Sequence, residues 1–201
     1  MIRIGLTGSI GMGKSAVSKM FRQLGVPVFD ADAEVHKLQA AGGALVPAIE
    51  ARFPGSTGPG GVNRQILGQM VLGKPDELRA LERIIHPAVY RSRQRFLARN
   101  RARPLVVLDI PLLFEKAKGR SLARTVDVSV TVSAPAWMQK KRVLARPGMV
   151  PARLKHIRRL QVPDHIKRRL ADHVIETGCL KSETFAAVSA LVACLSAKKS
   201  R

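Results

Sequence analysis

The chain has 201 residues, of which 46% are hydrophobic, enough to close a core around one domain carrying insertions and to exclude a disordered chain. Lysine and arginine number 35 against 14 acidic residues, a formal net charge of +21 that attracts polyanions, yet aromatics are only 4%, which speaks against a base-stacking platform for single strands. No apolar run approaches the ~18 residues of a membrane span, and Met1 leads into a strand and a glycine-rich loop in place of a signal peptide, so a soluble, cytoplasmic protein with no membrane partner is expected.

The first apolar run, Ile2 to Leu6, reads as a strand, and Ser15 to Leu24 places Val17, Met20, Phe21 and Leu24 at helical spacing. Gly25 ends that helix, and Val26 to Phe29 reads as a second strand closed by Asp30. From Ala33 to Asn100 the pattern is helical, including Arg64 to Leu72 and Glu77 to Arg99 around Pro87, and it is broken by the glycine- and proline-rich stretch Pro54 to Gly61, read as a mobile loop or connector. Leu105 to Asp109, Thr125 to Val132 and His173 to Glu176 supply three more valine-rich strands. Five strands separated by helices predict an α/β fold whose parallel sheet is covered on both faces. The two cysteines, Cys179 and Cys194, have no metal-ligand spacing and read as buried apolar thiols. Basic residues are dispersed over Arg91 to Arg103, Lys116 to Arg124, Lys140 to Arg146, Arg153 to Arg169 and Lys198 to Arg201, so no focused nucleic-acid stripe stands out.

Gly8, Ser9, Ile10, Gly11, Met12, Gly13, Lys14 and Ser15 fit the pattern G-x-x-x-x-G-K-[ST] between a strand and a helix, with Ala16 continuing into the helix. The glycines let backbone N–H groups curl inward, the helix offers its positive end, and Lys14 reaches the outer phosphates of a nucleoside triphosphate. The Ser15 hydroxyl suits Mg²⁺. A P-loop alone could serve a GTPase, a motor or a kinase, so the acceptor side has to come from other residues. Asp30 and Asp32 follow the second strand at the edge where open sheets bind ligands; a carboxylate there could take an acceptor proton, or Asp32 could cap the next helix. Asp109 ends a very apolar strand, as a Mg²⁺-holding Walker B acid does, or it forms a turn. Arg142 and Arg146, at i and i+4, could clamp phosphates from one helix face or form a solvated basic face.

Taken together, the run Gly5 to Ser15, Val26-Pro27-Val28-Phe29-Asp30-Ala31-Asp32 with His36, Asn63-Arg64, Ile85-His86-Pro87, Asp109-Ile110-Pro111-Leu112-Leu113-Phe114-Glu115, Gln139 with Arg142 and Arg146, Gln161, and Ala171-Asp172-His173-Val174-Ile175 resemble the dephospho-CoA kinases over nearly the whole chain. The resemblance implies a P-loop kinase core over about 1–32, 104–135 and 170–201, a helical CoA-binding insertion over about 33–103 and a lid over about 136–169, all in one domain. It implies ATP and Mg²⁺ as cofactors and transfer of the γ-phosphate to the 3′-hydroxyl of dephospho-CoA. Asp32 then becomes the general base; Thr7, His86, Asp109 and Leu112 line the acceptor site; Arg142 and Arg146 act with Lys14 on the transferring phosphate; and Ser15 and Asp109 hold the metal. A monomer or weak oligomer without a specific nucleic-acid partner is expected. Ser9, Pro147 and Thr177 depart from residues common in that family, which have glycine, an acid and asparagine there. The competing readings are another small-molecule P-loop kinase, of nucleoside, nucleotide or shikimate type, and an ATP-switched nucleic-acid-binding protein; the long insertion and the Asp109–Glu115 run favour the first-named family.

Overall fold

The computed structural model describes residues 1–116 and 125–197, so most of the basic stretch Lys116 to Arg124 and the whole tail Lys198 to Arg201 lie outside the described residues. A five-stranded sheet carries the fold in the order β2-β5-β1-β6-β7. Its strands are β1 (Ile2–Thr7), β2 (Val28–Asp30), β5 (Leu105–Asp109), β6 (Val128–Ser133) and β7 (His173–Glu176). β1 is central and pairs in parallel with β5 from Ile2↔Leu105 to Leu6↔Asp109 and with β6 from Ile4↔Val128 to Thr7↔Thr131. β6 pairs in parallel with β7 from Val130↔His173 to Ser133↔Glu176. All five residues of β5 are buried, as expected of a strand covered on both faces. The parallel order brings Thr7, Asp109 and Ser133 to the same edge of the sheet.

Helix α1 (Lys14–Gln23) buries Val17, Met20 and Phe21, and the last helix turns Val188, Leu191 and Leu195 inward at spacings of three and four, so that both join the core built on Ile4, Leu6, Val107, Val130 and Ile175. Between strands, β6 is tied to the entry of β7 by Asp172, whose Oδ2 accepts the Ser129 N–H at 2.7 Å and its hydroxyl at 2.6 Å. Burial pushes the Asp172 carboxyl up, but the Ser129 hydroxyl and amide together hold it below the usual carboxylate range.

The chain divides into two compact units, one made of Met1–Phe29 with the described residues from Asn100 onward, the other of Asp30–Arg99. The second unit contains α2 (Ala31–Gln39), α3 (Val46–Arg52), a hairpin of β3 (Thr57–Gly58) and β4 (Gly61–Val62), α4 (Arg64–Val71) and α5 (Pro75–Arg99). Its own core gathers Leu38, Leu45, Ile49, Phe53, Leu67 and Leu81. The stretch read as a mobile loop, Pro54 to Gly61, instead leads into this hairpin and is pinned by Glu50. Glu50 Oε1 accepts the Gly55 N–H at 2.7 Å, and Oε2 accepts the Thr57 hydroxyl at 2.7 Å and its N–H at 3.0 Å. Those bonds, the Gly55 amide first, hold the Glu50 carboxyl below its ordinary range.

Two further expectations, on the α2 cap and on the cysteines, are corrected. The cap of α2 is Asp30, which accepts the Ala33 N–H at 2.9 Å; α2 starts at Ala31 and Asp32 lies in its first turn. As the helical pattern around Pro87 predicts, α5 runs unbroken through that proline, which costs the ladder one donor without ending it. Both cysteines are exposed: Cys194 falls outside the Val188–Leu191–Leu195 seam, and Cys179 sits in the turn after β7, where its thiol lies 3.5 Å from the Glu176 carbonyl.

Candidate active site

The P-loop leaves the sheet at Thr7, the last residue of β1. Its fully buried side chain donates to the Pro111 carbonyl at 3.0 Å, linking the start of the P-loop to the turn after β5. Gly13 is the residue before α1, with φ +90° and no side-chain cap, so the first N–H groups of the helix stay available. A Cβ at Gly13 would lie 2.8 Å from the Thr177 hydroxyl, and one at Gly11 would lie 2.4 Å from Val143. The loop can therefore exist only with glycine there, and it is packed directly against the elements after β6 and β7.

Lys14 and Asp109 meet in an ion pair, the carboxylate side chain 3% exposed and the ammonium side chain 19% exposed. Residues 95 positions apart are thus brought to one point by the β1–β5 register. Ser15 and Ala16 follow in the exposed first turn of α1, and Leu112 sits half-buried in the turn after β5.

Beyond β6 come α7 (Ala136–Leu144), α8 (Pro151–Leu160), α9 (Asp164–Leu170) and, after β7, α10 (Lys181–Ala197); a short helix α6 (Leu113–Lys116) follows β5. The Arg142 guanidinium donates to the Thr177 hydroxyl at 3.1 Å and to its carbonyl at 2.6 Å. Thr177 in turn donates its hydroxyl to the Met12 carbonyl at 2.6 Å, so Arg142 of α7 is joined to the P-loop through one threonine. Arg146 does not share the helix face of Arg142, because α7 ends at Leu144; it lies exposed in the following turn, its N–H bonded to the Val143 carbonyl at 3.0 Å. A cavity of about 910 Å³ opens beside Ser9 and Met12, with Trp137, Lys140, Lys155 and Arg158 on its wall.

In the second unit, Asp32 lies in the first turn of α2 and His86 is exposed on α5, beside a cavity of about 450 Å³ that also involves Arg52, Arg79 and Arg83. His36 and Arg64 meet at 3.3 Å; arginine can only donate, so the His36 Nε2 is the acceptor.

A profile of the dephospho-CoA kinases matches residues 2–181. The chain belongs to the dephospho-CoA kinase family. The dephospho-CoA kinase of Novosphingobium aromaticivorans is 57% identical over 198 residues, 98% of this chain and 96% of that one, and the one from Zymomonas mobilis is 49% identical over 201 residues, 100% of both. A crystal structure from Thermus thermophilus is 34% identical with a TM-score of 0.80 and covers 96% of each chain. At 18% identity, a dephospho-CoA kinase from Campylobacter jejuni (TM-score 0.64, 96% of each chain) and a shikimate kinase from Acinetobacter baumannii solved with shikimate (TM-score 0.54, 100% of this chain and 96% of that one) share the fold. Among the described residues no helix is long and apolar enough to cross a membrane.

The structure sets the P-loop between β1 and α1 and brings Asp109 to its lysine, the placement the motif predicts. Two features escaped motif reading. Thr177 carries a bridge between the P-loop and α7, where sequence comparison marks only a departure. Lys167 on α9 is fully buried and lies 2.8 Å from Glu115 Oε1, an ion pair between residues whose charge suggests surface positions.

Proposed function

We propose that the chain moves the γ-phosphate of ATP to the 3′-hydroxyl of dephospho-CoA, releasing CoA and ADP. The observation that carries this reading is the pairing of Lys14 of the P-loop with the buried Asp109 at the edge of the sheet, in a chain of this family. The P-loop amides and Lys14 hold the β- and γ-phosphates. Asp32 takes the proton of the 3′-hydroxyl as its oxygen bonds to the γ-phosphorus, while the bond from that phosphorus to the β–γ bridging oxygen breaks and ADP leaves. Asp32 is free for that task because Asp30 has taken over the cap. Arg142 spends two donors on Thr177 and keeps the remainder of its fork for phosphate oxygens, with Arg146 joining from the turn. Thr7, His86 and Leu112 are assigned to the acceptor side, within an inserted unit and a post-β5 turn that take up the CoA moiety. A lid over about 136–169, from α7 to α9, keeps water from the γ-phosphate.

The Ser15 hydroxyl and the Asp109 carboxylate are hard oxygen donors of the kind Mg²⁺ takes alongside phosphates and water, and few protein ligands are needed. When bound, Mg²⁺ screens the charge that shifts between the phosphates.

The test offers dephospho-CoA, adenosine, AMP and shikimate in parallel with ATP and Mg²⁺, following ADP release and product mass. Phosphate gain by dephospho-CoA alone is the expected result; gain by another acceptor, or by none, overturns the assignment.

A further inference from the structure

The P-loop residue Ile10 is held on both sides by side-chain amides from elements far along the chain. Gln139 of α7, 3% exposed, donates Nε2 to the Ile10 carbonyl at 2.8 Å. Gln161, in the segment after α8, accepts the Ile10 N–H on Oε1 at 3.1 Å. In a trans peptide the carbonyl and the N–H point to opposite sides. Gln139 therefore fixes the Ile10–Gly11 peptide so that the Gly11 N–H turns away from α7. Gln161 fixes the Ser9–Ile10 peptide so that the Ser9 carbonyl turns inward, where it accepts the Met12 N–H at 3.1 Å. Gly11, at φ +77°, can rotate its backbone freely, which makes its peptides the ones most in need of an external hold.

The seat of Gln161 is set in turn by the buried ion pair. Glu115 Oε1 accepts the N–H of Val162, the residue after Gln161, at 3.0 Å, and the Lys167 ammonium lies 2.8 Å from the same oxygen. A carboxylate on the helix after the Asp109 strand and a lysine on α9 thus place a glutamine on the P-loop.

We infer that Gln139 and Gln161 are positioning residues for nucleotide binding, setting the direction of the P-loop amides from outside the loop, with Glu115 and Lys167 holding Gln161 in place. This rests on the P-loop being the nucleotide site of the function proposed above, and it is independent of the acceptor.

The two amides use opposite chemistry, and a single substitution exposes it. Glutamate at 161 retains an acceptor for the Ile10 N–H, whereas glutamate at 139 removes the donor and sets an acceptor against the Ile10 carbonyl. Both bring one negative charge to the same residue, so the general effect of charge on nucleotide affinity cancels in the comparison. ADP binding to the full chain in Mg²⁺ buffer is measured by titration calorimetry for Gln139→Leu, Gln161→Leu, Gln139→Glu and Gln161→Glu, beside thermal melting and kinetics with ATP and dephospho-CoA varied separately. Each leucine variant is expected to weaken ADP about tenfold, the worth of one hydrogen bond. The KM for dephospho-CoA should stay within about twofold, and Gln139→Glu should bind more weakly than Gln161→Glu. Affinity unchanged in the leucine variants, or equal losses in the two glutamate variants, overturns the inference. If a leucine variant fails to fold, the glutamate pair still decides. A wild-type chain that binds ADP but leaves dephospho-CoA untouched refutes the acceptor assignment while leaving this test intact.

Discussion

The two units of the molecule hold their polar groups in different ways. In the unit built on the sheet, the hydrogen bonds that shape the site span most of the chain: Lys14 to Asp109, Ile10 to Gln161 and Met12 to Thr177, the last across 165 positions. In the inserted unit the ties are local, with Asp30 capping α2, Asn63 capping α4 through the N–H groups of Gln65 and Ile66, and Glu50 closing its own hairpin five and seven residues on. Local ties stabilise a unit without reference to the rest of the chain. Long-range ties make the site a property of the completed sheet, so damage to one of them should be felt in nucleotide handling, while damage in the insertion should be felt in local stability.

Asp32→Asn sharpens this contrast most, because Asp32 lies in the inserted unit yet is assigned to the chemistry. Its kcat should fall about a thousandfold, roughly 4 kcal/mol, with the Kd for ATP within about twofold. An equal loss of ATP affinity would make Asp32 a structural or metal-linked residue. Next in size is Lys167→Met, which leaves the Glu115 carboxylate buried without its cation and should cost about 3 kcal/mol in denaturant unfolding. Adding Glu115→Leu should recover much of that loss; a double variant no better than the single would show that the ion pair is not the source. Asn63→Ala removes a cap and should cost about 1 kcal/mol, leaving ATP affinity as it was. A fall in ATP affinity would break the distinction between the units.

The smallest effect concerns pH. The Arg3 guanidinium, hydrogen-bonded to Asp127 at 2.6 Å, holds that carboxyl below its ordinary range despite the opposing push of burial. A depressed folded-state pKa contributes stability that is full above the unfolded value, about pH 4, and is lost as pH falls through the folded value. Asp127→Asn should therefore be less stable than wild type at neutral pH by under about 1 kcal/mol, the pair being partly exposed, and the gap should close below about pH 4. A gap that persists in acid would assign the loss to packing.

Much of the sheet unit was legible because its signals are contiguous. The apolar runs Leu105–Asp109 and His173–Glu176 coincide with β5 and β7, and the P-loop pattern reports the strand–loop–helix shape. The sequence does not reveal partners that meet across the fold: nothing near Thr177 announces a bond to Met12, and Lys167 reads as one more cation in a basic stretch until the structure buries it. Arg146 was misplaced by assuming a helix two residues too long, and the hairpin β3–β4 was hidden by glycine and proline, which mark turns without saying whether strands flank them. The glutamines at 139 and 161 enter the family resemblance without a stated role, since their partner is a backbone peptide in another part of the chain.

β1 is made before either strand that flanks it. Ile2 finds Leu105 only after the inserted unit has been translated, β6 joins later still, and Thr177 reaches Met12 only after β7. The inserted unit has its own core, within Asp30–Arg99, much earlier. On the ribosome the long-range partners of the P-loop consequently arrive after those of the inserted unit's core, so a nascent chain exposes its glycine-rich loop without the scaffold that shapes it.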